Sequence, residues 1–411
     1  MNKLVFAFTF CLVMSTTVLW ADDLQSTTSK WLLDVPKPKA VDPPSDEMIQ
    51  ASIDRGLDFL IRHQNENGSW GSATNTKGLN IYAPIPGAHH AFRAAVTGLC
   101  LSALIESGDR RVEIVEAIEK AERWNEEWLP KVRRAEPTAI YNVWAHAYAI
   151  RGLVDLHAFH KEKPRRQERI IQLIRQQADR LERYEGIDGG WGYYDFGAQT
   201  QKPNVEPTSF TTATVLIALH EAKQLGVDFP ERQIKRAVNS LIRQQKPDFS
   251  YYYSDNGPTK NRPMWLINRP GGSLGRSQAC NLALKIWGSD KITDQVIEAW
   301  LDRLFSRNLW LDIGRKRPIP HESHFLVAGY FFYYGHFYAA GCIEMLPEKS
   351  RPPHKAQLST IILRLQEKDG SWWDYPFYNY HQQYGTAMSI MTLLGCQSEP
   401  RPGVGFSLFS D

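Results

Sequence analysis

A seven-residue pattern that recurs along the chain limits its fold more than any other feature. Gln64-Asn65-Glu66-Asn67-Gly68-Ser69-Trp70 and Gln366-Glu367-Lys368-Asp369-Gly370-Ser371-Trp372 both read Gln-x-x-x-Gly-x-Trp. Each follows apolar residues at helical spacing: Ile49, Ile53, Leu57 and Leu60 before the first, Leu358, Ile361, Ile362 and Leu365 before the second. Weaker copies lie between them. Residues 185–191 keep the Gly and Trp, 245–251 keep the Gln and an aromatic, and 122–128 and 304–310 keep only the Trp. The six aromatic anchors at 70, 128, 191, 251, 310 and 372 stand 58 to 63 residues apart, which makes one structural unit repeated six times.

Each anchor leads into a second helical stretch rich in Ala, Gly, Ser, Thr and Cys: 94–105, 141–156, 210–222, 277–287, 336–345 and 384–394. Small residues let helices approach closely. The alternating stretches, such as 165–182 and 233–244, carry more charge and are amphipathic, with one face for solvent. Six pairs of this kind predict a closed ring of inner helices within an outer ring. Closure also removes the need for polar capping repeats at the two ends. In the motif, Gly permits a sharp turn after a helix, Trp covers the helix end, and the Gln amide reaches unpaired backbone groups there. These residues are therefore read as structural.

With 411 residues, 43% hydrophobic and 23% charged, the chain can bury a sizeable core. Forty-eight basic against 45 acidic residues, a net charge of +3, give no concentrated basic face, so nucleic acid is not an expected partner. Residues 1–21 read as an export signal: Lys3, an apolar run from Leu4 to Val13, and Ala21 before Asp22-Asp23. The run is too short to span a membrane, and no later segment is expected to do so. The expected location is periplasmic or extracellular. A Pro-rich leader (22–44), the ring (45–396) and a C-terminal tail (397–411) follow. The four remaining cysteines, Cys100, Cys280, Cys342 and Cys396, sit in apolar helical stretches and are expected as buried free thiols.

The Gln-Trp motifs resemble those of the terpenoid cyclase and protein prenyltransferase superfamily, over about residues 45–396. The resemblance implies an all-α (α/α)6 toroid of six helix pairs, with an aromatic-lined cavity among the inner-helix ends. The departures from it are specific. The Asp-x-Asp-Asp acid of squalene-cyclase-type enzymes does not occur, nor does an aspartate-rich Mg²⁺ site, nor a thioester Cys-Gly-Glu-Gln. The zinc site of prenyltransferase β subunits is echoed by Gln278-Ala279-Cys280 and His336, but neutral Gln278 stands where the family has Asp. No metal and no cofactor are expected; the alternative for Cys280 and His336 is a buried thiol and a hydrogen-bonded pocket histidine.

Titratable and aromatic residues gather near the starts of the inner helices, where the ring opens. His336, His146 and Tyr384 are the catalytic candidates. Arg276, Gln278, Cys280, His89, Glu206, His321, His324 and Tyr333 are the ligand-binding candidates, with Tyr141, Tyr148, Tyr330 and Tyr334 nearby. His321 and His324 share a spacing suited to one helix face. The alternative for each is a helix cap or core packing. Three functions follow. The first is binding, and transformation where there is turnover, of an isoprenoid or polycyclic lipid. The second is a polysaccharide lyase or hydrolase on the same ring, and the third a non-enzymatic binding module. A cavity walled by aromatics with few titratable groups favours the first; an open groove with His, Tyr and Arg favours the second. A plugged centre favours the third.

Overall fold

The computed structural model describes residues 32–78, 86–195, 203, 206–255 and 265–398. The expected export signal, the start of the leader and most of the C-terminal tail lie outside the described residues.

Six outer helices alternate with six inner ones. The outer set is α1 (Asp46–Arg62), α3 (Val112–Trp128), α5 (Pro164–Tyr184), α7 (Glu231–Gln244), α9 (Asp294–Ser306) and α12 (Arg351–Leu363). The inner set is α2 (Ala88–Glu106), α4 (Asn142–Phe159), α6 (Ser209–Gln224), α8 (Leu274–Ile286), α11 (Phe331–Glu344) and α13 (His381–Cys396), and a short helix α10 (Asn308–Asp312) precedes α11. Each inner helix packs on the next in the order α2, α4, α6, α8, α11, α13, and α13 returns to α2. The barrel is closed, as the repeats predict.

The two sets bury different faces. Outer helix α5 buries Ile170, Leu173, Ile174, Gln177, Ala178 and Leu181, a single stripe at three- and four-residue spacing, with charged residues on the rest of its surface. Inner helix α6 is buried on nearly every side. Ser45 caps α1 by accepting from the Met48 amide at 3.3 Å, as its place before two acidic residues suggests. Helix α2 corrects one sequence expectation: it is long and apolar enough to cross a membrane. Its side chains are instead mostly buried in the barrel between α4 and α13. Small residues set that packing, since a Cβ on Gly98 would lie 2.3 Å from the Tyr148 carbonyl oxygen of α4. A Cβ on Gly335 of α11 would lie 2.5 Å from the Cα of Gly275 in α8.

The repeated motif joins consecutive outer helices. The Trp70, Trp191 and Trp372 indole N–H groups donate to the carbonyls of Leu60, Leu181 and Ile362, which each lie ten residues earlier near an outer-helix end. Their backbone amides donate to Thr97, Thr212 and Thr386 of the inner helices at 3.0–3.1 Å. Gln64 Nε2 donates to the Ala117 carbonyl of α3, while Gln366 Nε2 donates to the Ser52 carbonyl of α1. The last unit is thereby tied to the first. In the third unit Glu185 replaces Gln and pairs with Arg236 of α7 at 3.1 Å. In the fourth, Trp300 and Arg303 of α9 reach back to Asp248.

Candidate functional site: an aromatic cavity at the inner-helix starts

The loops that enter the inner helices, together with the first turns of those helices, enclose a cavity of about 630 Å³. Thirteen of its 22 lining residues among the described ones are aromatic: eight Tyr, four Phe and Trp144. Apart from the tyrosines, the titratable groups on its wall are Glu136 and His321. Leu99, Tyr148 and Met388 lie well past the first turn of their helices and form the deep end. Glu136, Thr138, Tyr194, Pro320 and His321 come from the entering loops and form the rim.

Tyrosine hydroxyls in and around this wall pair with one another. Tyr141 donates to Tyr194 at 2.6 Å, and the Tyr193 and Tyr253 hydroxyls are also 2.6 Å apart. Tyr330 contacts His321 Nε2 at 3.4 Å. Deeper, the Tyr334 hydroxyl bonds the Phe210 carbonyl and meets the Thr214 hydroxyl, both at 3.0 Å. With these polar atoms engaged, the ring faces are what the wall offers a ligand.

Two of the sequence candidates line the cavity: Tyr384 and His321. His321 does not share a helix face with His324. It has φ +65° in a loop and bonds the Leu326 carbonyl through Nδ1 at 2.7 Å, while His324 is exposed against Phe325. His146 points outward from the barrel, where Gln177 of α5 and Asn142 hold its two ring nitrogens. His336 likewise meets Asn308 and the Phe332 carbonyl. Burial lowers both imidazoles to about 4, so they are neutral at physiological pH. Arg276 is 1% exposed and donates to the carbonyls of Tyr251, Gly272 and Ile267, stitching the turn before α8. His89 contacts the Tyr380 hydroxyl at 3.0 Å, and Glu206 is exposed. None of these six lines the cavity.

The zinc echo does not assemble. Gln278 spends its amide on the Leu274 and Trp300 carbonyls, His336 has both nitrogens engaged, and the buried Cys280 thiol is pushed up to about 12. Among the described residues no three His, Cys, Asp or Glu side chains group as metal ligands. All four described cysteines are free and buried, as expected.

Sequence reasoning missed Asp374, which lies two residues past the last motif Trp. It is fully buried, accepts the Tyr333 amide at 3.0 Å and receives the Tyr384 hydroxyl. Burial raises its carboxyl to about 7, against the opposing pull of those hydrogen bonds. Tyr333 therefore contributes its backbone behind the wall, and Tyr384 connects the carboxyl to the cavity. A carboxyl of this strength holds or releases a proton near neutrality and suits proton exchange with a ligand oxygen. It is far too weak to protonate an unactivated alkene.

Below the cavity the barrel is closed by charge. Arg151 of α4 bonds Glu106 of α2 and Glu221 of α6, with Asp155 beside them, all four nearly excluded from solvent. Burial raises Glu106 to about 8 and Glu221 to about 7 although Arg151 opposes it.

Fold and site together define an α/α toroid with an aromatic central cavity. The squalene-hopene cyclase C-terminal domain profile matches residues 35–259, more than half of the sequence, and the chain belongs to that family. No curated protein matches the chain in sequence. Among solved structures, an unsaturated glucuronyl hydrolase from Bacillus sp. GL1 is 13% identical, covering 84% of this chain and 96% of its own at a TM-score of 0.53. An α-1,6-mannanase of Salegentibacter sp. is 10% identical, covering 84% and 99% at 0.50. A type II terpene cyclase from Scytonema is 15% identical, covering 85% and 97% at 0.46. For the hydrolase and the mannanase, at these identities, the likeness is one of fold, which several chemistries share.

Proposed function

We propose that this protein works after export and holds an isoprenoid or polycyclic lipid in its central cavity, with the apolar body deep and an oxygen function near Tyr384. The observation that carries this reading is the wall of thirteen aromatics with, among the described residues, only Glu136 and His321 as further titratable groups. Such a wall recognises flat or branched hydrocarbon by area and shape. A sugar needs many convergent hydrogen-bonding groups, whereas tyrosine hydroxyls here are spent on one another or, for Tyr334, on the Phe210 carbonyl. Where the ligand is turned over, the Tyr384–Asp374 pair is the proton-exchanging group, acting on a hydroxyl, carbonyl or similar oxygen.

The test is native mass spectrometry of the mature protein from its exporting host, with the retained ligand released and identified. An isoprenoid or polycyclic lipid, lost in Ala95→Trp where the new ring fills the cavity, supports the reading. A retained oligosaccharide moves the assignment to carbohydrate chemistry. A protein empty both as isolated and after incubation with a panel of such lipids overturns it.

A further inference from the structure

A second concavity, of about 750 Å³, lies beside the aromatic cavity. The link between α3 and α4 separates the two: residues 130–135 line the second groove, and Glu136, Thr138 and Ala139 line the first. Lys131, Arg133, Arg134 and Arg180 line this groove together with Trp124 and Trp128, and among the described residues no carboxylate lines it. Neutralisation of these cations is incomplete. Arg134 pairs with the buried Asp195 at 2.6 Å and Lys131 with exposed Glu127 at 3.0 Å. Among the described residues no carboxylate pairs with Arg133 or Arg180.

Two buried donors are also unspent. Trp124 is 4% exposed and its indole N–H has no partner among the described residues; the same holds for Arg134 Nε. Buried N–H groups are almost always bonded, so orphans in a concave cationic wall point to an acceptor that is supplied from outside. Trp128 fixes the geometry, stacked on Trp124 at 6.4 Å between ring centroids, with the Lys131 ammonium 4.2 Å from its own centroid.

We propose that this groove is an anion-binding site for a phosphate-type group, held by Arg133, Arg180 and Arg134. The source is a free phosphate or the head group of an amphiphile whose tail lies across the α3–α4 link. The inference rests on the groove alone and is independent of what fills the aromatic cavity.

The experiment is titration of inorganic phosphate, then of dodecyl phosphate, into the full chain at low salt, followed by tryptophan fluorescence and calorimetry. Saturable phosphate binding weakened at least tenfold in Arg133→Glu/Arg180→Glu, with a thermal melt close to that of the unsubstituted protein, supports the site. Lys161→Glu/Lys235→Glu carries the same charge change elsewhere and is expected to bind normally. Tighter binding of dodecyl phosphate, lost in Ala95→Trp, identifies an amphiphile as the source; equal affinity identifies the free anion. Absence of saturable binding to either probe, or equal weakening in both double variants, overturns the proposal.

Discussion

At the scale of single residues, the motif positions are fixed by backbone geometry and only secondarily by side-chain chemistry. Gly68, Gly189 and Gly370 occupy φ near +90°, and a Cβ at each would sit 2.2–2.6 Å from a carbonyl oxygen of the next outer helix. Gly226 also has positive φ (+74°) but nothing within 4 Å. Gly189→Ala is therefore expected to lower unfolding free energy by more than Gly226→Ala, which bears only the left-handed backbone cost of about 1–2 kcal/mol; urea unfolding of the two variants checks this. Trp191→Phe keeps most of the buried area but strands the Leu181 carbonyl, and a loss of about 1–3 kcal/mol is expected in the same assay. In the fourth unit Phe249 takes the glycine position at φ +59°, a conformation disfavoured for a residue with a side chain.

Helices differ in how much of themselves their sequence reveals. An outer helix such as α5 shows its buried stripe directly, because its other face is charged. An inner helix does not, because cavity-facing and outward-facing positions are both apolar or small. In α11, Phe331 and Tyr334 face the cavity while Phe332, Tyr333 and His336 face away from it. In α4, Trp144 and Tyr148 face in and His146 faces out. The histidines nominated as catalytic sit one helical phase from the site for this reason. Close approach of α2 and α4 depends on Gly98 and Gly152, each with a backbone atom of the partner within 3 Å of its virtual Cβ. Gly98→Leu is expected to separate the two helices and abolish the cooperative melt, whereas Gly395→Ala on α13, with 3.7 Å to its nearest neighbour, is expected to melt near the unsubstituted protein.

For the whole molecule, the buried acids and histidines predict a stability profile with opposing limbs. His146, His336 and His381 are lowered to about 4 by burial, so the native state binds fewer protons than the unfolded chain from about pH 4 to 6.5, and stability rises with pH across that window. Glu106, Glu221 and Asp374 are raised to about 8, 7 and 7, so the native state binds more protons there, and stability falls as pH rises toward those values. Above pH 6.5 the lowered histidines no longer contribute, and the acids act together with His354, whose imidazole Asp302 raises against the effect of its burial. The melting temperature is expected to fall between pH 6.5 and 8, at up to about 1.4 kcal/mol per pH unit for each proton retained. Glu106→Gln holds no titrating proton at that position and is expected to flatten the upper part of the fall, measured by scanning calorimetry across that range.

The sequence by itself determined the six-fold repeat, the assignment of helices to two rings, and the structural use of the motif Trp and Gly. These depend on local period, on turn chemistry and on the spacing of like segments, all of which are written along the chain. Of the residues it gathered near the inner-helix starts, Tyr141, Tyr148, His321, Tyr330, Tyr334 and Tyr384 line the cavity. Only the tertiary structure decided which sides of the inner helices face the axis, that Asp374 stands behind Tyr384, and that Arg151 gathers Glu106 and Glu221 from the two neighbouring helices under the cavity. The physical reason is the same in each case. A helix that is buried all round carries no hydrophobic contrast to mark its orientation, and a carboxyl's proton affinity is set by neighbours that arrive from distant parts of the chain once the ring closes.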